Sequence, residues 1–384
     1  MSKIISLFMS IIMLLFPWAN IPNTSLDTEN AKTQYSYVFV HGLSGWGEYD
    51  AAYQAMPYWG MRGGDLMKYL RARGVDAHAA SVNPTASAWD RACELYAQLT
   101  GTRVDYGKEH AERCGHRRYG TNYTGRALIG KWDAENKINI LGHSFGGATV
   151  LQLVELMANG SEAEQAATPA SELSGLFSGG KADCFWSVTM LSAPMNGTTA
   201  YEVGDEAEGE FSAVGASTAF FNLATVSPLD GRKDFDSARY DMHIDNAIPM
   251  AESFETLSGV YYFSIPCCKT TVQADGTSYP DKAGMELMFQ TPSEAIGKAS
   301  GVTAGGFAYD ESWQPNDGLV NTVSARAPFG APQKDIDRDD IDPGIWNVFP
   351  VYNGDHMALQ GGFTHMNPIR ELYMDLINMI NALG

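Results

Sequence analysis

A serine stands among glycines in Gly142-His143-Ser144-Phe145-Gly146, after the apolar run Ile138 to Leu141 and before a helix-like stretch from Ala148 to Met157. A serine hydroxyl is a poor nucleophile until a base removes its proton and a third group orients that base. A tight strand-to-helix turn can lift the Oγ clear of a sheet towards such a base, the arrangement called a nucleophile elbow. The same glycines also fit a plain turn in which the serine caps the helix. Residues elsewhere favour the chemical reading. Asp317 lies on the turn of "WQPNDGLVN" ahead of an apolar run, and His356 follows Asn353-Gly354-Asp355. The chain order Ser, Asp, His is that of α/β-hydrolases and differs from the trypsin-like and subtilisin-like orders. Upstream, His41-Gly42-Leu43 ends the first apolar strand, where one of two oxyanion donors is expected, so the backbone N–H groups of Leu43 and Phe145 are the candidate pair. His143 is expected to pack at the elbow with its side chain turned away from Ser144, and His41 to make structural hydrogen bonds behind the oxyanion loop.

A second constellation is "SAWDRACELYAQLTGTRVDYGKEHAERCGHRRYG", which holds Asp90, His110 and His116, with Trp89 adjacent. Imidazole and carboxylate are zinc ligands, yet His110 and His116 are six residues apart and share no helix face. The second must come from a turn near Gly115, and by spacing alone a polar surface helix-turn fits as well. The aspartate-rich "KDIDRDDIDPG" fails as a calcium loop: counted from Asp335, its sixth residue is Asp340 instead of Gly and its twelfth is Trp346 instead of Glu. A solvated acidic loop is the expectation there.

The elements that must position these residues alternate between two periods. "YSYVFVHG" predicts a strand over 35–40, Asp65 to Arg73 a helix closed by Gly74, and "VDAHAASV" a strand with Val75, Ala77 and Ala79 on one face. Further buried strands are expected at Ile138 to Leu141, from Trp186 in "WSVTMLSAP" and from Gly259 in "GVYYFSI". A last helix should be capped by Asn367, with Ile369, Leu372, Leu376, Ile380 and Leu383 as its buried stripe. Strands alternating with helices imply a mostly parallel sheet covered on both faces. No repeat or linker divides the chain, so residues 35–384 read as one α/β domain. Residues 205–236, acidic and then apolar with Gly and Pro interruptions, read as an excursion, either a lid-like wall or a packed surface loop.

The whole chain has 384 residues, 45% of them apolar, and a formal net charge of -19. Such acidity argues against nucleic acid or a polybasic membrane anchor. "MSKIISLFMSIIMLLFPWAN" has one early cation, Lys3, and an apolar run too short for an ordinary span, so residues 1–19 read as a secretory signal, or an N-terminal anchor if left uncleaved. Five cysteines without paired CxxC spacing indicate no disulfide framework.

Beyond single residues, "VFVHGLSGWGEYD", "YWGMRGGDL", "WDRACELYAQLTGTRVDYG", "HAERCGHRRYG", "GHSFGG", "SAPMNGTT", "ARYDM", "NDGLVNTVS" and "YNGDHM" together resemble the secreted zinc-containing bacterial lipases of family I.5, best known from thermophilic Bacillus relatives. The resemblance runs from about Tyr37 to the C-terminal helix. It implies an α/β-hydrolase fold, a triad of Ser144, Asp317 and His356, and a structural zinc held by Asp90, His110, His116 and Asp241 in an insertion over about 84–120. The calcium site of that family draws on an acidic residue two positions after the catalytic histidine and on a later Asp-Pro. Here those positions are Ala358 and Phe363-Thr364, so no calcium site is expected. The stretch between "GTT" and "ARYD" is shorter than in the large-lid lipases and resembles the short-lid esterases of anaerobic Firmicutes, some of which attack aliphatic-aromatic polyesters.

The resulting expectation is a secreted serine hydrolase acting on short to medium acyl esters, with triglycerides and polyester surfaces as further substrates and no nucleic-acid partner. A catalytically silent zinc-stabilised surface domain, an acyltransferase of the same fold, and a zinc-catalysed reaction are the alternatives.

Overall fold

A computed structural model describes residues 33–205 and 233–383. The expected leader, residues 1–19, and all but the ends of the 205–236 excursion lie outside the described residues. Seven strands form the central sheet: β1 Ser36–Val40, β2 Ala77–Ala80, β3 Ile138–His143, β4 Phe185–Leu191, β5 Tyr261–Ile265, β6 Gln333–Asp335 and β7 Trp346–Val348, in spatial order β6-β7-β5-β4-β3-β1-β2. Every pairing is parallel. The helices that matter to the site are α1 Leu66–Arg71, α2 Ala88–Thr100, α3 Lys108–Cys114, α4 Gly146–Asn159, α5 Ala238–Met242, α6 Leu287–Ile296 and α7 Arg370–Asn381. Among the described residues no helix is long and apolar enough to cross a membrane.

Side-chain alternation along the central strands fills two cores at once. Val38, Val40, Ile138, Ile140, Val188 and Met190 pack on one face with Leu95 of α2 and Leu153 and Leu156 of α4. Tyr37, Phe39, Leu141, Leu191 and Phe263 pack on the other with Leu66 and Leu70 of α1 and Tyr373, Leu376 and Ile377 of α7. Both faces being covered explains the near-continuous apolar strands and their parallel arrangement. This is the α/β-hydrolase architecture expected from the sequence.

The last helix departs from expectation by a register step. Its buried side is Ile369, Tyr373, Leu376, Ile377 and Ile380, while Leu372 and Leu383 are half-buried. Asn367 does not cap it; its amide donates to the Ala358 carbonyl, and the helix starts after Ile369. An aromatic at Tyr373 reaches the core under β1, where its ring meets Phe39 at 5.6 Å. The first two residues of "KDIDRDDIDPG", Lys334 and Asp335, belong to β6 instead of the expected loop; the rest is a solvated turn in which Asp340 and Asp342 pair with Lys334. All five cysteines are free thiols.

Candidate active site and metal cluster

Backbone strain gathers at the C-terminal ends of the central strands. Of the four non-glycine residues with positive φ among the described residues, three follow β1, β3 and β4: Ser44 (56°), Ser144 (55°) and Ser192 (49°). Such conformations cost on the order of 1–3 kcal/mol each and concentrate at functional sites. At Ser144 the surrounding structure enforces the turn. Its N–H donates to the Leu191 carbonyl at 3.0 Å, and its own carbonyl accepts the Gly147 N–H at 2.9 Å. The flanking glycines answer a steric demand: a Cβ on Gly142 would sit 2.6 Å from the Gly146 carbonyl oxygen, and one on Gly146 would sit 2.3 Å from that of Val40.

The structure brings together the three residues selected from sequence. Ser144 Oγ lies 2.8 Å from His356 Nε2, and His356 Nδ1 lies 2.9 Å from Asp317 Oδ2. Asp317 is wholly buried and all its acceptor capacity is engaged: Oδ1 accepts the N–H groups of Leu319 and Val320, and Oδ2 also accepts the Ser192 hydroxyl. Burial favours the neutral carboxyl, but the imidazole and these donors outweigh it and hold Asp317 below the ordinary carboxylate range. The His356 N–H donates to the Asp317 carbonyl at 2.8 Å, fixing the two loops together, and Phe289 of α6 packs edge-on against the imidazole. Ser192 was not singled out by sequence reasoning; its signal was its place in "SAP" at the end of β4.

Oxyanion chemistry needs N–H groups left unused by the fold. Among the described residues, neither the Leu43 nor the Phe145 N–H donates to a protein acceptor. The two neighbouring histidines are both neutral and structural. His41 Nε2 accepts the Val82 N–H, so its Nδ1–H donates to the Gly42 carbonyl at 2.8 Å; burial, aided by the Arg91 charge, pushes this ring down to about 3. His143 Nε2–H donates to the His356 carbonyl at 2.8 Å while its Nδ1 takes the Tyr58 hydroxyl proton at 2.7 Å. Burial and the nearby His356 push His143 down to about 3 as well. Tyr58 in turn accepts the Gly42 N–H at 3.0 Å, so one polar chain ties the oxyanion loop to the histidine loop.

The chain is similar to several known lipases and esterases. Residues 33–212 match the family model described as "Lipase-like, C-terminal domain". Lipase 2 of Staphylococcus aureus is 30% identical over 359 residues, 85% of this chain, and the chain spans about half the length of that relative. The structure of EstA from Clostridium botulinum superposes with a TM-score of 0.80 at 28% identity, covering 97% of this chain and 93% of that one. Lipase 1 from Pelosinus fermentans is 31% identical with a TM-score of 0.74, over 92% of this chain and 100% of that one. The chain belongs to the I.5-type bacterial lipase family.

This lipase-family chain carries a second buried cluster, on the elements around α2 and α3. His110 Nε2 lies 3.1 Å from Asp90 Oδ1 and 3.5 Å from Asp236 Oδ1; His116 Nε2 lies 3.6 Å from Asp90 Oδ1 and 3.3 Å from Asp236 Oδ2. Four donor atoms on the corners of a tetrahedron with metal bonds of about 2.0–2.1 Å stand about 3.3–3.4 Å apart. The four imidazole–carboxylate separations, 3.1 to 3.6 Å and made to Asp90 Oδ1 and to both oxygens of Asp236, bracket that figure, and the His116 Nε2 is buried without a hydrogen-bond partner. Two nitrogens and two oxygens also suit a tetrahedral divalent cation. Without a cation, burial would drive His110 down, but Asp236 and Asp90 outweigh it and push the ring up to about 11.

Asp241, expected from sequence as the fourth ligand, is used otherwise. Its Oδ2 accepts the Ala88 N–H at 2.7 Å, satisfying an orphan donor in the first turn of α2. Burial, with Asp236 and Asp90 nearby, raises its carboxyl to about 7. Asp236 takes the place facing both imidazoles, its Oδ1 also accepting the hydroxyl of Ser87, the α2 N-cap. Asp236 and Asp241 are five residues apart in "DFDSARYD", and sequence alone offered no reason to choose the one before the helix over the one inside it.

Supports around the cluster are equally specific. The N-cap of α3 is Gly107, which offers no side chain, so the buried Glu164 carboxylate accepts the N–H groups of Lys108, Glu109 and His110 instead. A carboxylate at a helix N-terminus is favoured by both the free donors and the macrodipole. Trp89 stacks on His110 with ring centres 5.0 Å apart. Cys114 Sγ lies 3.7 Å from the other ring nitrogen of His110, and His110, Cys114, His116 and Asp236 can each offer a metal-ligand atom within 4.8 Å of the others.

Proposed function

We propose that this chain is a carboxylic-ester hydrolase that works through an acyl-enzyme on Ser144. The observation that carries the reading is the continuous Ser144–His356–Asp317 hydrogen-bond line, 2.8 Å and 2.9 Å long. Ser144 attacks the ester carbonyl as His356 takes its proton at Nε2. Asp317 holds the Nδ1–H and stabilises the imidazolium that forms. The N–H groups of Leu43 and Phe145 receive the developing alkoxide. His356 returns the proton to the departing alcohol, and a water then repeats the attack to release the acid.

The substrates proposed are short to medium acyl esters, with triglycerides and aliphatic-aromatic polyesters as larger ones, in keeping with the short segment before "ARYD". Asp90, His110, His116 and Asp236 would hold zinc. When bound, it supplies a fixed cross-link between α2, α3 and the stretch preceding α5, with every position taken by protein and none left for a reacting water. The chain shares no residue between this cluster and the serine line. Residues 35–384 are proposed as one catalytic domain, exported by the leader at 1–19.

A p-nitrophenyl ester series from butyrate to palmitate, run on wild type and Ser144→Ala with bound zinc quantified in both, tests the reading. Chain-length-dependent hydrolysis lost in the variant while zinc and fold persist is the expected result. Equal rates in both proteins would reduce Ser144 to a turn residue and end the proposal.

A further inference from the structure

Among the described residues Arg91 is the largest charged side chain with no exposure at all, and its surroundings are unusual for a buried cation. Its Nη2 donates to the His41 carbonyl at 2.5 Å and its Nη1 to the Gly42 carbonyl at 3.4 Å. Its Nε is buried without a hydrogen-bond partner. Glu94 and Asp241 act on it by charge alone, without a hydrogen bond. A buried guanidinium lacking a carboxylate partner is expensive to keep, since its desolvation is only partly offset by two carbonyl dipoles. Residues 41, 42 and 145, which it touches, surround the proposed oxyanion donors.

The peptide between Gly42 and Leu43 is trans, so its C=O and N–H point in opposite directions. Arg91 Nη1, His41 Nδ1–H and the Gly45 N–H all draw the Gly42 carbonyl to one side, which turns the Leu43 N–H to the other. Gly42 itself lies against the nucleophile: a Cβ on it would stand 2.7 Å from Ser144 Cβ. The same guanidinium lies 4.9 Å from the ring centre of Phe145, whose N–H is the second donor. One side chain therefore bears on both peptide units.

We propose that Arg91 is a positioning residue for the oxyanion hole: it locks the Gly42–Leu43 peptide and Phe145 in place and sets a fixed positive charge behind the developing alkoxide. The inference rests on the serine-hydrolase reading above. Its electrostatic part follows from preorganisation, because a charge already in place reorganises nothing when the oxyanion forms. Arg91 follows Asp90 directly on α2, so the helix that faces the metal cluster also reaches behind the serine. The guanidinium fork matters as well as the charge, since a lysine cannot serve both carbonyls at once.

The test compares wild type, Arg91→Met and Arg91→Lys for p-nitrophenyl butyrate kinetics, inhibition by an alkylboronic acid, bound zinc, melting temperature, and labelling of Ser144 by diethyl p-nitrophenyl phosphate. The boronic acid places a tetrahedral oxygen in the oxyanion hole, whereas KM is dominated by the acyl and alcohol groups. In Arg91→Met, kcat should fall by about 10- to 100-fold, less than the roughly 10²- to 10³-fold that follows removal of a donor itself. Boronate affinity should fall in proportion, with KM within about twofold and zinc retained. Arg91→Lys should lie between the two, and it decides the matter if the methionine variant fails to fold. Unchanged kcat and boronate affinity in a folded variant would overturn the proposal, as would losses that merely track lost zinc. A wild type that the phosphate ester leaves unlabelled at Ser144 would overturn the underlying serine reading first.

Discussion

The two buried clusters of this chain are made largely of the same two residue types, yet they are arranged for opposite purposes. In the serine cluster one imidazole has a carboxylate at Nδ1 and a hydroxyl at Nε2, so each ring nitrogen faces a different partner along a line. In the other cluster two imidazoles present the same kind of atom, Nε2, to the same two carboxylates, so their donor atoms converge. A line suits the passage of a proton, whereas a convergence of this charge and geometry suits a cation. Residue type alone does not separate a proton shuttle from a metal site; the count of carboxylates per imidazole, and which nitrogen they face, does.

The largest effect that would break the comparison belongs to the line. Ser144→Ala should lower kcat by about 10⁶-fold, as for other triad nucleophiles, with zinc content untouched; parallel losses of both would mean that the clusters are not independent. Asp317→Asn should cost about 10⁴-fold in kcat by releasing the imidazole from its tautomer, read from ester kinetics together with loss of the low-field Nδ1–H proton resonance of His356.

In the convergent cluster the effect should appear as stability instead of rate. Asp236→Asn should abolish metal retention and remove on the order of 4 kcal/mol at a metal concentration 1,000 times Kd, measured by denaturation with and without a chelator. A variant that still binds zinc as tightly as wild type would reinstate Asp241 as the ligand.

Asp317 and Asp355 sharpen the contrast within the histidine loop itself. Asp317 faces the ring and is held low, whereas Asp355, facing away, is raised to about 6 by burial first and then by the charges of Glu286 and Asp317, despite accepting the Glu286 N–H at 2.7 Å. A carboxyl whose folded value lies above its unfolded 3.8 binds more protons when folded, so its contribution to stability declines as pH rises from about 4 to about 6 and is then level. Asp355→Asn should remove that decline. Relative to wild type, the variant should gain up to about 3 kcal/mol across this window, the worth of roughly two units, as seen in urea titrations at pH 4 and 7. A constant difference between the two proteins at both pH values would contradict the assignment. The smallest effect expected is about 1 kcal/mol for Asp241→Ala, the loss of a helix-terminal acceptor with zinc retained.

Much of this was legible in the chain. The elbow glycines, the order Ser144, Asp317, His356 and the apolar alternation of Tyr37 to Val40 each report a local rule: close approach, loop placement after a strand, and period two. The fourth member of the convergent cluster was not legible, because Asp236 and Asp241 are equally acidic and equally near a helix start. The register of α7 slipped because aromatic Tyr373 and apolar Ile377 compete with Leu372 and Leu383 for the same core. Ser192, Tyr58 and Arg91 stood inside stretches quoted for the family resemblance, but nothing in their type or spacing gave them a role.

By itself, the sequence determined the fold class, the serine line and the presence of a histidine-aspartate constellation, because each is written in spacing along one element or in the order of loops after strands. Only the tertiary structure decided which aspartate faces two imidazoles, which hydroxyl completes Asp317, and that a buried guanidinium from α2 stands behind the oxyanion loop. Those choices depend on groups 50 to 153 residues apart meeting at distances of 2.5 to 3.5 Å, and no local period encodes which partners a packed interior will bring together.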